Sequence, residues 1–156
     1  MAERDNPGVI APPPLIFLGF LALGWGAGRL IGEPTLGLDR TTQAGIAIAG
    51  LVLGLAVEAL AAGLFHKART AIQPWKPSTA LVTGGVYRFT RNPIYLGFAV
   101  TYLALAVGLD SPLAILLLIP CLVVVDRFVI QREEAYLAAR FGADYDAYRR
   151  RVRRWL

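Results

Sequence analysis

Two short polar stretches contain residue types suited to binding a small charged ligand. The first, TRNPIYLGF, places Arg91 and Asn92 directly before an apolar run that begins at Pro93. Asn is a common N-cap and Pro a common first helical residue, so this stretch predicts a helix N-terminus whose free N–H groups attract anions. The second holds the adjacent acids Glu133 and Glu134. These carboxylates can accept hydrogen bonds from ammonium groups or ribose hydroxyls.

The ligand chemistry that suits both stretches combines a carboxylate, an ammonium group, a ribose and a flat base. S-adenosylmethionine has these groups, together with a sulfonium methyl that can be transferred. Nicotinamide dinucleotides and acyl-coenzyme A also carry anions and ribose, so the residue types alone leave these cofactors open. The chain has a single histidine, His66, and a single cysteine, Cys121. Because zinc-type spacings are also absent, we expect no metal.

Four apolar runs must position the two polar stretches. The chain is 56% hydrophobic and 17% charged, whereas soluble domains are about 25% charged. A bilayer core needs about 20 apolar residues, with about 17 as a minimum, and unbroken runs favour helices over strands. The sequence therefore predicts an all-α integral membrane protein with a cytoplasmic loop and a C-terminal amphipathic helix. It forms one domain, 1–156, with a tail at 131–156 and four spans at about 15–31, 43–65, 93–109 and 112–130.

The basic residues lie mostly on one side of the predicted bundle. Five of the 16 Lys and Arg residues fall in 66–91 and eight in 127–156. The positive-inside rule then places the long loop, the tail and both termini in the cytoplasm, with the site facing the same way. We expect the protein to lie in a bacterial inner membrane. Its expected partners are the lipid bilayer and a lipophilic small molecule, and no nucleic acid. The N-terminal residues lack net positive charge, so the first run is expected to be a permanent span.

The tail predicts two further helical segments. The first continues the fourth span and ends at Gly142, a C-cap residue type. The second begins with Asp144 as N-cap and carries an apolar stripe. The stripe comprises Tyr145, Tyr148, Val152 and Trp155. This segment either lies on anionic lipid or forms a lid that closes a site.

The link between the third and fourth spans brings the two polar stretches together. Only Asp110 and Ser111 separate these spans, which predicts a tight helical hairpin. Asn92 and the acid pair at 133–134 should therefore lie at similar heights, within about 5 Å along the axis. Adjacent helical residues diverge by about 100°, so one acid should point inward and the other toward the loop or tail. By the same periodicity Arg127 should share the face of Glu134, and Asp126 that of Glu133.

Two motifs resemble a known enzyme family. GGVYRFTRNPIYLG at 84–97 resembles the G-x-Y-x-x-x-R-[HN]-P-x-Y-x-G signature of the isoprenylcysteine carboxyl methyltransferase and phospholipid methyltransferase group. The tail REEAYLAARFGADYDAYRRRVRRWL resembles its second signature, and the likeness covers about 65–156. The resemblance implies an integral-membrane enzyme that transfers the methyl group of S-adenosylmethionine to a lipophilic acceptor, either a prenylcysteine-like carboxylate or a lipid headgroup amine.

The resemblance also implies roles for individual residues. Arg127 and Glu133 are expected to be catalytic, and Arg127 is expected to contact the substrate. Glu58 is also expected to contact the substrate, but on the ground of its position about 10 Å below the cytoplasmic edge of the second span. Glu133 or Glu134 could take a proton from an amine acceptor, whereas a carboxylate acceptor needs no base. The guanidinium of Arg127 would suit a carboxylate or a phosphate. By position, the residues expected to hold the cofactor are Tyr87, Arg91, Asn92, Pro93, Tyr95, Gly97, Glu133 and Glu134.

Some alternatives stay open at this point. Glu58 either lines a tunnel for the acceptor or pairs with Arg29, Arg127 or another helix. For the whole chain, the rival functions are an NADPH-dependent membrane reductase of the sterol type and a non-catalytic lipid-binding protein.

Overall fold

The computed structural model describes residues 7–9, 11–73 and 76–156, and all regular structure within them is helical. The helical structure of these residues confirms the predicted all-α class for this part of the chain. Residues 1–6 are not described, so the cytoplasmic position of the N-terminus stays a prediction. The helices are α1 (Pro13–Ile31), α2 (Arg40–Lys67), α3 (Pro93–Gly108), α4 (Pro112–Val125), α5 (Gln131–Phe141) and α6 (Ala143–Arg151).

Among the described residues, three helical segments are long and apolar enough to cross a membrane. They are α1, α2 and the continuous segment Pro112–Phe141, in which α4 leads through a π-helical turn at Asp126–Ile130 into α5. The remaining apolar helix, α3, has 16 residues. At 1.5 Å per residue it is about 24 Å long, short of the roughly 30 Å of a bilayer core. The predicted count of four spans therefore stays a prediction.

Small residues set the packing of these helices, which pair as α2 with α3 and α1 with α4. A Cβ atom on Gly97 would lie 3.0 Å from the carbonyl oxygen of Gly54 and 2.5 Å from Cγ of Glu58. On α1, a Cβ atom on Gly24 would lie 2.5 Å from Cα of Ala114. Close approach of helix backbones through glycine is a common solution in membranes, where dispersion contacts drive helix association.

The end of the bundle opposite the polar stretches is closed by hydrogen bonds between the α1–α2 and α3–α4 connections. Glu33 accepts from the Ser111 hydroxyl at 2.6 Å and from the Leu113 N–H at 2.8 Å. Its carboxylate therefore lies at the N-terminus of α4, where negative charge is favoured. Asp110, with φ of 53°, accepts from the Leu36 N–H at 2.8 Å.

The tail packs against the bundle instead of lying free on its surface. Tyr145 and Tyr148 on α6 are buried, and they form a cluster with Tyr87 and apolar residues of α2. Gly142 ends α5, as predicted, but it also occupies the N-cap position of α6 in place of Asp144.

The predicted stripe is helical only over its first two members. Because α6 ends at Arg151, Val152 and Trp155 belong to the non-helical chain end. We call residues 152–156 the strap.

Candidate functional site

The strap crosses the N-terminus of α3. The hydroxyl of Thr90 and the side-chain amide of Asn92 both donate to the carbonyl oxygen of Arg154, at 3.0 and 2.9 Å. The Arg91 N–H donates to the Arg153 carbonyl oxygen at 2.9 Å. Asn92 occupies the N-cap position of α3, as predicted, but its side chain makes no capping hydrogen bond. It binds the strap instead.

The two acids of α5 point in different directions. Glu133 turns toward α3 and accepts from the Tyr95 hydroxyl at 2.7 Å. Glu134 turns toward the tail, where it pairs with Arg91 at 3.0 Å and Arg154 at 2.6 Å. This divergence is the one that the helical period predicts. It also brings the acid pair and the Arg91 stretch into direct contact.

The π-helical turn corrects the predicted register between α4 and α5. Arg154 also pairs with Asp126 at 3.3 Å, so Asp126 shares a partner with Glu134. The expectation that Arg127 shares the face of Glu134 assumed a regular α-helix, and it is wrong. A π turn accommodates one extra residue, which moves the matching position from seven residues before Glu134 to eight. Arg127 is exposed.

A cavity lies between the N-terminus of α3, the helices α5 and α6, and residues 71–73 and 76–82 of the long loop. Its empty volume is about 850 Å³, including the space at its open mouth. Six of the eight residues predicted to hold the cofactor line it, namely Tyr87, Arg91, Asn92, Tyr95, Glu133 and Glu134.

Four of the predicted site residues do not line this cavity. Pro93 is buried at the start of α3, and Gly97 packs against α2, so their expected contact with a cofactor stays a prediction. Glu58 accepts from the Thr101 hydroxyl on α3 at 2.9 Å, which agrees with the alternative that it pairs with another helix. Arg127 lies in a neighbouring groove.

Several cavity residues escape the sequence reasoning because long-range contacts place them. Tyr136 on α5 accepts from the Ser78 N–H at 3.0 Å, which holds the loop over the cavity. Tyr148 on α6 donates to the Tyr87 carbonyl oxygen at 2.8 Å. The aromatic stripe is the sequence signal that points to α6. For Arg154 the sequence gives no such signal, because this residue is one of several arginines in the tail.

Burial disfavours the ionised form of three tyrosines around the cavity. It raises the pKa of Tyr87 and Tyr148 well above the usual range and raises the pKa of Tyr145 to about 12. The hydrogen bonds that Arg154 donates to Glu134 raise the pKa of Arg154, so this guanidinium stays charged.

The cavity wall offers donors for an anion. Nε of Arg91 is buried and has no hydrogen-bond partner within the described part of the chain. An unpaired buried donor costs about 1–3 kcal/mol. The backbone N–H groups of Ile94 and Tyr95, in the first turn of α3, belong to those that a helix leaves unpaired, and both residues line the cavity. A ligand carboxylate fits this donor set.

The fold and the site define an α-helical membrane protein with a ligand cavity at the basic end of its bundle. The chain belongs to the phospholipid methyltransferase family, whose sequence model matches residues 42–144. Family membership confirms the resemblance noted from the two motifs.

Individual relatives point to the same family. Protein-S-isoprenylcysteine O-methyltransferase of Schizosaccharomyces pombe is 39% identical over 75 residues, which are 46% of this chain and 30% of that protein. Protein-S-isoprenylcysteine O-methyltransferase B of Arabidopsis thaliana is 41% identical over 75 residues, 46% of this chain and 36% of that protein. An uncharacterized protein of Haemophilus influenzae is 41% identical over 63 residues, 40% of this chain and 100% of that protein.

The chain thus spans about a third of the length of the two named enzymes. The family and these relatives support methyl transfer at the membrane to a lipophilic acceptor, and they do not favour the reductase.

Proposed function

We propose that the chain is an S-adenosylmethionine-dependent membrane methyltransferase whose acceptor is a lipophilic molecule from the bilayer. The acceptor group is a prenylcysteine-like carboxylate or a lipid headgroup amine. The observation that carries the proposal is the cavity, because it gathers six residues of two separate family motifs around one space. Its basic surroundings support a cytoplasmic orientation in a bacterial inner membrane.

The residues on the cavity wall fit S-adenosylmethionine, which when bound supplies a methyl group on a positively charged sulfur. Arg91 and the first turn of α3 would hold its carboxylate. Glu133 offers an acceptor for ammonium or ribose hydroxyl groups, since only one of its oxygens is taken by Tyr95. Ile72, Leu81 and Val82 of the long loop give the cavity an apolar surface for a flat base.

Holding both reactants side by side in the cavity accounts for most of the catalysis in this proposal. Correct placement can contribute several kcal/mol, about 7–11 in well-oriented cases. For an amine acceptor, Glu133 would remove the proton, oriented by the Tyr95 hydroxyl at 2.7 Å. Arg127 lies outside the cavity, so we assign it to binding an anionic group and not to the reaction itself. Glu58 has no contact with the cavity that supports a substrate role.

Cofactor titration of the purified chain in detergent tests the proposal. We expect S-adenosylmethionine to raise the melting temperature and NADPH to leave it unchanged, because binding to the folded state alone is stabilising. Glu133→Gln should weaken the affinity, measured by calorimetry, while Tyr102→Phe should not, since Tyr102 binds the Ala114 carbonyl oxygen away from the cavity. Stabilisation by NADPH alone would overturn the assignment.

Methyl transfer itself requires a separate assay. Radiolabelled S-adenosylmethionine incubated with membrane lipids and prenylcysteine analogues should label an apolar product, and its mass would identify the acceptor. Cofactor binding without any labelled product from these acceptors would favour the non-catalytic lipid-binding alternative.

A further inference from the structure

A second concavity adjoins the cavity on the other side of Arg91. It is an open groove, and Arg91 lines both spaces. The ion pairs of Glu134 with Arg91 and Arg154 stand between the two. The other residues of the groove are Leu122, Val123, Asp126, Arg127, Arg154 and Trp155.

One end of the groove is apolar and faces lipid. Val123 is 55% exposed and lies in a helix long and apolar enough to span a membrane, so its side chain faces lipid. Leu122 beside it is half-buried against the core. Trp155 belongs to the strap, and tryptophan is enriched at the level of the headgroups. The groove therefore runs from the hydrocarbon layer toward the bilayer surface.

The other end of the groove is basic and incompletely neutralised. Arg91 and Arg154 share the carboxylates of Glu134 and Asp126. Arg127 has no carboxylate partner in the part of the chain that the structure describes. A cation at this depth is costly unless it is paired, and an arginine fork matches the oxygens of a phosphate.

We propose that the groove binds an anionic phospholipid from the leaflet on the basic side of the protein. Its phosphodiester would bind Arg127, and one acyl chain would lie along Leu122 and Val123. A zwitterionic lipid fits less well, because its ammonium group would add positive charge where two carboxylates already face three guanidinium groups. The inference goes beyond methyl transfer, since a lipid held there needs neither cofactor nor reaction.

Trp155 provides a reporter at the site. In a Trp25→Phe, Trp75→Phe background, we would reconstitute the chain in phosphatidylcholine bilayers that contain brominated phosphatidylglycerol or brominated phosphatidylcholine at equal mole fractions. Trp75 lies outside the described residues and is replaced only to remove its emission. We expect stronger quenching by the anionic lipid. Arg127→Gln should reduce this preference about fivefold, the effect of one basic residue at a charged lipid surface. The control Arg88→Gln removes an exposed arginine that does not line the groove.

Three results would overturn the proposal. They are equal quenching by the two lipids, a preference that survives Arg127→Gln, and equal loss in Arg88→Gln. Soluble glycerophosphate should not reduce the quenching, and competition by it would indicate a free-phosphate site instead. Titration of S-adenosylmethionine into the same variants separates this inference from the proposed function, because Arg127→Gln should keep its cofactor affinity. Native mass spectrometry of the unaltered chain gives a second readout, in which phosphatidylglycerol should be retained over phosphatidylcholine.

Discussion

At the residue scale, Arg154 joins three separate parts of the site. Its side chain pairs with Glu134 on α5 and Asp126 on the π-helical turn, and its carbonyl oxygen accepts from Asn92. Without this guanidinium, Glu134 would keep its pair with Arg91, and Asp126 would keep its hydrogen bond from the Gln131 amide. A single residue near the end of the chain thus fixes the position of an acid that lines the cavity.

We therefore expect Arg154→Gln to weaken both the strap and cofactor binding. Because the Arg154 side chain is 34% exposed, the loss of stability should be modest, about 1 kcal/mol. The affinity for S-adenosylmethionine should fall severalfold, because Glu134 is no longer held. Thermal unfolding and calorimetry in detergent measure these two effects.

Arg153→Gln is the matched control, since Arg153 is exposed and contributes its backbone carbonyl to the site. The side chain removed is of the same type, one position earlier in the strap. If both variants lose affinity equally, the ion pairs of Arg154 do not position the site.

At the scale of elements, the π-helical turn sets the rotation of α5 relative to α4. The turn leaves Glu133 facing Tyr95 and Glu134 facing the strap. A regular α-helix through the same residues would turn both acids by about 100°. π-helical turns occur frequently at functional sites, and here the turn directs two cavity residues.

Deletion of Phe128 tests this role of the turn. Removing one of the five residues at Asp126–Ile130 should restore α-helical register, keep the helix content and abolish cofactor binding. Circular dichroism and calorimetry give the two readouts. Phe128→Ala removes the same, 45% exposed side chain without changing the register, so it should bind the cofactor normally. Retained binding in the deletion variant would show that the register is unimportant.

The α2–α3 interface makes a second prediction at this scale. Gly97→Ala places a Cβ atom 3.0 Å from the Gly54 carbonyl oxygen, which is backbone and cannot move aside easily. We expect a loss of about 1–3 kcal/mol in the free energy of unfolding, the usual cost of overpacking. Gly63→Ala on α2 meets no atom within 4 Å and should instead stabilise slightly, because alanine favours helix. Equal melting temperatures for the two variants would contradict this account of the packing.

At the scale of the whole molecule, the features that depend on nearby residues can be predicted from the sequence, and those that depend on distant contacts cannot. The apolar runs locate the helices because they depend only on nearby residues, and the short link at Asp110 and Ser111 brings Asn92 near the acid pair. The strap, the π-helical turn and the α6 contacts depend on partners such as Thr90 and Arg154, which are 64 residues apart. No local pattern encodes such contacts, so the sequence does not predict the role of Arg154 or the part of the cavity wall that the long loop forms.

The two ends of the bundle should also be separable in function. Glu33 binds Ser111 and the Leu113 N–H at the end away from the cavity. Glu33→Ala removes both bonds and leaves the buried Ser111 hydroxyl without this acceptor, which should cost about 1–3 kcal/mol of stability. Because none of these residues lines the cavity, the affinity for S-adenosylmethionine should change less than about twofold at temperatures where the variant is folded. Glu33→Gln keeps one carbonyl acceptor and should lose less stability. Parallel loss of stability and affinity across this series, measured by thermal unfolding and calorimetry, would mean that the α3–α4 connection and the cavity behave as one cooperative unit.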